Sequence, residues 1–356
     1  MRIVFDVSPL SHPRTGVGNY IRGSLAGLVE VAGSQHEIVA FAPTSPAGKR
    51  AIPLALAGIP VELKLTVLPF AHPWRMAWSH LGRPALERVL GRFDVLHFSD
   101  WMFPSQRDGV RATTIHDLVP MRFPEWTTPR TRSMHGAKYR NAARTCHVIF
   151  ANSAYTAADV HQLLGVQEER LRVARPAPEA RFRPEGERAD LGRPYLLTAA
   201  TLEPRKNLGT LVEAHRLLGG ELGLAVAGGA GWGEQPELGG ERVLPLGYVD
   251  DDRLASLYRG AAAFVYPSRF EGFGIPVLEA MASGVPCVAS AHPSLDEACG
   301  EAAIRADPDD AAALAAAIER ALAEREELVR RGLEHVRRFS WRSVGETFLA
   351  GYEESR

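Results

Sequence analysis

Thirteen short apolar runs, separated by longer segments of helical period, constrain this chain more than any other feature. In the first half they are Arg2–Asp6, Glu37–Ala42, Val61–Pro69, Asp94–Ser99, Arg111–Ile115, His147–Asn152 and Leu171–Val173. In the second half they are Tyr195–Ala200, Leu222–Ala227, Arg242–Gly247, Ala262–Tyr266, Pro286–Ser290 and Ala302–Arg305. Many are continuous Val, Ile, Leu and Ala rather than alternating, which is the pattern of strands buried on both faces of a parallel sheet. Their alternation with helices predicts an α/β architecture.

A chain of 356 residues is long for one domain. Pro176, Pro178, Pro184 and Pro194 mark a stretch without helical or strand period. Proline lacks an amide donor and fixes φ, so this stretch reads as a seam. The expected division is an N-terminal Rossmann-like domain over 1–175, a linker over 176–193, a C-terminal Rossmann-like domain over 194–335 and a terminal helix over 336–356. Asp307-Pro308-Asp309-Asp310 supplies a turn and N-cap for an Ala-rich helix expected to run to about Arg330. Charge divides at the same seam: residues 1–180 hold 21 Lys+Arg against 14 Asp+Glu, and the remainder 20 against 28. A basic first half suits anionic partners, without saying which.

No apolar run reaches the roughly 18 to 20 residues that span a bilayer. The N-terminal run is short, ends in Asp6 and reads as a strand rather than a signal peptide. Cys146, Cys287 and Cys299 form neither a disulfide framework nor a C-x-x-C site, which fits a reducing cytoplasm.

Four segments carry chemistry. Arg14-Thr-Gly16-Val-Gly18-Asn-Tyr20 follows the first strand and precedes a helix, where backbone amides can approach a phosphate. Ile21 stands where a dinucleotide fingerprint has its third glycine, and the loop begins well past the strand end. That speaks against an NAD-dependent dehydrogenase; a plain turn and cap is the other reading. His116, in Thr113-Thr114-Ile115-His116-Asp117, sits at a strand's carboxyl end, where open α/β sheets bind ligands. It reads as a hydrogen-bond partner of a substrate hydroxyl, with Asp117 orienting it or capping the next segment, or, preferred on this motif alone, as a satisfied core histidine. Glu203-Pro204-Arg205-Lys206-Asn207 sets two cations at a helix opening. Cations there oppose the helix dipole unless an anion such as pyrophosphate lies between them. Glu271-Gly272-Phe273-Gly274-Ile275-Pro276-Val277-Leu278-Glu279 places one carboxylate on a glycine-bearing loop and a second on the following helix. Amides around Gly274 and Ile275 can cradle phosphate, and carboxylates accept paired hydrogen bonds from sugar hydroxyls.

Together the Glu-x7-Glu segment, the Glu-Pro-Arg-Lys-Asn segment and Asn152-Ser153 resemble family 4 of the retaining glycosyltransferases, which have the GT-B fold. The resemblance covers nearly the whole chain and is strongest from Tyr195 to Asp310. It implies two Rossmann-like doubly wound domains with an interdomain cleft. It further implies that Glu271 binds donor-sugar hydroxyls, Glu279 the ribose, and Arg205 and Lys206 the pyrophosphate. Gly16 and Gly18 would close over the diphosphate, His116 would meet the transferred sugar, and Gly247–Val249 would flank the base. Gly272, Phe273, Gly274 and Ile275 complete the donor-binding set. Many members carry an arginine shortly before the Pro-Arg-Lys segment. Here Ala200-Thr201 stands instead, leaving open whether Thr201 or Arg205 takes that role.

Two further clusters have competing readings. Asp250-Asp251-Asp252 resembles a metal-binding run, but it precedes a helix and reads better as a cap, so neither a metal nor a cofactor is expected. Phe70, Trp74 and Trp78 mix with Arg75, Arg83, Arg88 and Arg92, and Arg130, Arg132, Lys138, Arg140 and Arg144 could extend the same surface. This could touch a membrane or lipid phosphate; a packed, partly solvated helix is the preferred reading. The resulting expectation is a cytoplasmic enzyme, at most peripheral to the inner membrane surface, with no nucleic-acid partner. It moves a hexose, with a lean toward mannose from GDP-mannose, to a glycan or lipid-linked acceptor. UDP-glucose or UDP-N-acetylhexosamine donors, or a non-catalytic sugar-nucleotide-binding protein, are the alternatives.

Overall fold

A computed structural model describes residues 1–12, 15–99, 102–229, 231 and 238–356. Arg14 of the N-terminal glycine segment lies outside them. The chain divides into two compact units: Met1–Pro124, Thr128–Pro176 and Ser340–Arg356 form one, and Glu125–Thr127 with Ala177–Phe339 the other.

The first unit holds a seven-stranded sheet of order β3-β2-β1-β4-β5-β6-β7. Its strands are β1 (Arg2–Asp6), β2 (Glu37–Thr44), β3 (Glu62–Val67), β4 (Val95–Phe98), β5 (Val110–Ile115), β6 (Val148–Ala151) and β7 (Leu171–Val173). The second holds a six-stranded sheet of order β10-β9-β8-β11-β12-β13. These are β8 (Tyr195–Ala199), β9 (Gly223–Ala227), β10 (Val243–Gly247), β11 (Ala263–Tyr266), β12 (Cys287–Ser290) and β13 (Ala303–Ala306). Every pairing is parallel. Central strands such as β4, β5, β8, β9 and β11 are buried throughout, while edge strands β3 and β10 are partly exposed, matching their more polar sequences. In each sheet the order reverses beside its first strand, at β1/β4 and at β8/β11. Ligands of open α/β sheets collect beyond the carboxyl ends at such switch points.

The last helix, Trp341–Glu354, belongs to the first unit, where Phe348 and Tyr352 are buried beside Phe5, His97 and Phe150. It lies against the helix Gly16–Ala32 so closely that glycine is required. A Cβ on Gly27 would stand 1.8 Å from the Trp341 carbonyl oxygen, and one on Gly345 would stand 2.3 Å from the Gly27 backbone. Tyr20, on the same helix, donates to the Ala174 carbonyl at 2.9 Å and meets the Trp341 ring edge-on.

Three details differ from the sequence expectation. The glycine segment is not a separate loop: the helix begins at Gly16, so Gly16 and Gly18 lie in its first turn. The Ala-rich helix does not run unbroken to Arg330. It ends at Ala323, and a second helix, Arg325–Val336, starts after Glu324. Residues 177–193 carry no regular element, yet they pack within the second unit: Phe182 is buried in its core, and Arg259 donates to the Glu187 carbonyl at 2.7 Å.

Gly27→Ala is expected to destabilise the protein by about 1–3 kcal/mol, because backbone rather than a side chain must yield. Gly16→Ala, where nothing lies within 4 Å of the added carbon, should leave the melting midpoint unchanged or slightly raised. Thermal denaturation of the two variants separates these outcomes.

Candidate functional site

At the β8/β11 switch point the loop after β8 turns through a short 3-10 helix, Pro204–Lys206, and enters the helix Leu208–Leu218. Asn207 joins them at φ 56°, in the left-handed region that asparagine tolerates better than most residues. Its side-chain amide donates to the Pro308 carbonyl, and its carbonyl oxygen accepts from Thr210 at 2.9 Å. The loop is thereby fixed with Lys206 turned inward, 6% exposed.

Glu271 comes from the loop after β11 and meets both cations. Its Oε1 accepts from Lys206 Nζ at 2.5 Å and from the Tyr266 hydroxyl at 2.9 Å; its Oε2 accepts from Arg205 Nη1 at 2.8 Å. Arg205 also donates to Glu203 at 2.9 Å and to the Phe270 carbonyl at 3.1 Å. Burial works to raise the Glu271 carboxyl, but Arg205 and Lys206 outweigh it and hold it down at about 2. Burial, reinforced by Arg205, lowers the Lys206 ammonium, against the pull of Glu271. In the free protein the two cations therefore face carboxylates of the chain itself: Glu271 touches both, and the buried Glu203 touches Arg205.

Beyond Glu271 the chain passes Gly272 and Phe273 into the helix Ile275–Ala282, capped by Gly274 at φ 105°. A Cβ at Gly274 would approach Leu295 to 2.5 Å, so the turn demands glycine on both counts. The Phe273 side chain is 2% exposed and packs edge-on to Phe339, so only its backbone is available to a ligand. Ile275 is half-buried. Glu279 is buried and accepts from the Tyr258 hydroxyl at 3.2 Å. Val249, after β10, packs partly buried against the same core, beside an exposed Tyr248. Arg205, Lys206 and Glu271 thus meet directly, while Glu279 makes its own contact one helix further on.

Gly16, Gly18 and His116 belong to the first unit. His116 follows β5, half-buried, with its ring edge-on to Tyr20 at 4.9 Å. With Asp6, Tyr20, Ser99 and Thr114 it lines a cavity of about 10 Å³, the size of a single water. The Asp117 carboxylate accepts from the amide of Val119, the first residue of the short helix Val119–Arg122, at 3.0 Å. Ser153 caps the helix Ala154–Leu164. Asp250 caps the helix Asp251–Gly260, accepting from the Arg253 amide at 2.8 Å, and Asp252 pairs with Arg181. Two cations of the cluster weighed as a membrane-facing surface are buried: Arg75 is 2% and Lys138 1% exposed, Lys138 donating to the Thr114 carbonyl at 2.9 Å.

Several residues at these strand ends escaped the motif reading. Tyr266 closes β11 and shares Glu271 with Lys206; Ser294 accepts from the Glu271 amide at 3.1 Å. Asp6 ends β1 and accepts from the amides of Ser8 at 2.8 Å and Ser99 at 3.1 Å, joining β1 to β4 at the first switch point. Burial raises its carboxyl against those hydrogen bonds. A polar residue closing an otherwise apolar central strand was the available signal for both Asp6 and Tyr266.

Two family models match the chain: one described as Glycosyltransferase Family 4 over residues 14–177, the other as Glycosyl transferases group 1 over residues 180–334. The O-antigen chain mannosyltransferase B of Escherichia coli is 30% identical, across 99% of this chain and 100% of that protein. Among solved structures, sucrose-phosphate synthase of Thermosynechococcus elongatus superposes with a TM-score of 0.71 at 19% identity, covering 99% of this chain and 98% of that one. Anabaena HepE in complex with UDP and glucose gives 0.71 at 15% identity, covering 99% and 100%. These likenesses establish a two-domain α/β GT-B fold for the paired parallel sheets. The chain belongs to family 4 of the glycosyltransferases, and it is a glycosyltransferase.

Proposed function

We propose that this glycosyltransferase moves mannose from GDP-mannose to a hydroxyl of a glycan or lipid-linked acceptor, retaining the anomeric configuration. One observation carries the donor site: a buried carboxylate held by two cations at the carboxyl end of a central strand. A diphosphate entering there competes with Glu271 for Arg205 and Lys206. As it takes over their charge, the Glu271 carboxylate becomes available to accept hydrogen bonds from the hexose. Neutralisation of the leaving diphosphate by a guanidinium, an ammonium and helix-terminal amides then needs no metal. Glu279 is assigned to the ribose, and Gly272, Gly274 and Ile275 to phosphate through their amides. In the first unit His116, walled by Tyr20, is assigned to a sugar hydroxyl.

The choice of mannose rests on the mannosyltransferase relative. A UDP-glucose donor is the second reading, favoured by the HepE complexes with UDP and with UDP-glucose. Retention is supported by the match to the Family 4 model. In a front-face reaction the leaving phosphate takes the acceptor proton on the same face, and Glu271, engaged with the hexose, is not called on as base or nucleophile.

Thermal-shift screening of GDP- and UDP-sugars in EDTA tests the donor. GDP-mannose should raise the melting midpoint, with about 2.7 kcal/mol expected at a hundredfold excess over Kd. Turnover should survive EDTA; complete loss restored by Mn²⁺ or Mg²⁺ would overturn the metal-free reading.

Three substitutions separate the roles. Lys206→Ala should weaken nucleoside diphosphate binding by about 1.5–3 kcal/mol in calorimetry. Glu279→Gln should weaken both the sugar-nucleotide and the bare nucleotide. Glu271→Gln removes the internal competitor, so bare diphosphate should bind at least as tightly while turnover collapses.

The same ion cluster sets an acid limit. Because the folded Glu271 carboxyl lies at about 2, below its ordinary 4.5, its stabilising contribution is present above pH 4.5 and lost as pH falls through 2. The melting midpoints of wild type and Glu271→Gln should therefore converge across that window, and a constant gap would disprove the linkage.

A further inference from the structure

The helix Ala71–Leu81 is turned inside out. Its buried residues are Ala71, Arg75 and Ser79, and Ser79 Oγ accepts from the Phe103 amide at 2.9 Å. Its exposed residues are Pro73, Trp74, Ala77, His80 and Leu81, of which only His80 is polar. Trp74 is 56% and Leu81 74% exposed, and Phe70, just ahead of the helix, is 82% exposed. Phe70 stands at φ 56°, a conformation that favours glycine or asparagine, yet carries an aromatic ring into solvent. Trp78, by contrast, is taken up by the fold, its indole donating to the Pro84 carbonyl at 2.6 Å and its ring edge-on to Phe41. Scattered single apolar residues on a surface need no explanation; a continuous aromatic and aliphatic helix face does.

Charge around this face selects its occupant. Residues 63–86 contain no Asp or Glu, and Arg83 follows the helix, exposed. The helix Pro129–Thr145 carries Arg130, Arg132, Lys138, Arg140 and Arg144 without one acidic residue. Its first turn reaches the same place: burial, then Arg75 and Arg130, press the His72 imidazole below its ordinary value. Trp and Phe beside histidine and arginine, in two segments without Asp or Glu, is the composition of a bilayer interface. A second copy of this chain would bring the same cations against themselves, which opposes a symmetric dimer on this face.

We propose that the face formed by Phe70, Trp74, Ala77 and Leu81 seats on an anionic lipid bilayer, with Arg83 and Arg130 against its headgroups. The helix would lie in the interface plane rather than cross it; among the described residues no helix is long and apolar enough to span a membrane. This surface is independent of the donor assignment made above, so either can fail without the other.

Sedimentation of the full chain with vesicles tests it. Vesicles of phosphatidylcholine with phosphatidylglycerol should carry the protein down, pure phosphatidylcholine much less, and added salt should weaken the binding. The double variant Trp74→Glu/Leu81→Glu should lower partitioning by at least about tenfold while keeping the wild-type melting midpoint, since both side chains stand in solvent. Arg83→Glu alone should weaken binding to the anionic vesicles and leave the phosphatidylcholine result unchanged. Failure to pellet with anionic vesicles, or equal pelleting of the double variant, would overturn the proposal. So would light scattering that showed a dimer which the double variant disperses.

Discussion

Two cations on one side of a switch point, Lys206 buried and Arg205 half-buried, need counter-charge, and Glu271 supplies it to both from the other side. Glu203 pairs with Arg205 alone, so without Glu271 the Lys206 ammonium would lose its carboxylate, and breaking such a buried pair typically costs about 3–5 kcal/mol. The cluster thus joins the loop after β8 to the loop after β11, fixing the two strand ends that flank the crevice of this sheet. The residues around it serve that join. Asn207 holds the first loop through Pro308, Tyr266 shares the carboxylate with the ammonium, and Ser294 holds the Glu271 backbone. A site pre-paired in this way charges an entering anion only the exchange of partners, because the cations are already dehydrated and oriented.

Strand positions were legible in the sequence because burial on both faces leaves little choice of residue. All thirteen apolar runs coincide with strands, differing only by a residue or two at their ends. Helix phase was less legible. The sequence left open which cations of the Phe70–Arg92 and Arg130–Arg144 segments face inward, because an arginine or lysine is rarely buried; Arg75 and Lys138 are the buried ones. The break at Glu324 also left no mark. Within 311–336 no proline occurs and the one glycine, Gly332, lies well beyond the break, so neither residue marks it. Nor could spacing show why Gly23 and Gly27 are glycine, since the Trp341 that occupies their space is more than three hundred residues away.

In the candidate site the motif residues were legible and their partners were not. The Glu271 and Arg205-Lys206 segments stand out as charge where a fold needs none. Their direct pairing did not follow from either segment, because it depends on β8 and β11 being neighbours, a fact of sheet order. Cations at a helix opening require an anion, and the chain meets that requirement from within, through Glu271 and, for Arg205, Glu203 as well. Phe273 shows the same limit: within the motif it reads as a contact residue, but its ring serves the core.

The opposed charges of the two halves acquire a physical meaning once the elements are in place. Much of the acidic excess of the second half stands at helix beginnings, at Asp250–Asp252, Asp296–Glu297, Asp310 and Glu326–Glu327, where it complements helix dipoles. Glu327 and Glu334 also pair with Arg330, in contacts that exposure leaves weak. That excess is therefore largely spent on secondary structure and says little about ligands. The basic excess of the first half is not spent in this way. The helix Pro129–Thr145 begins with Arg130 and Arg132 in its first turns, where positive charge opposes the dipole, and carries no acid to offset them. Arg132 donates to the Pro124 carbonyl, so a charge that the dipole disfavours is held by a contact outside its helix, whereas a charge that the dipole rewards needs none.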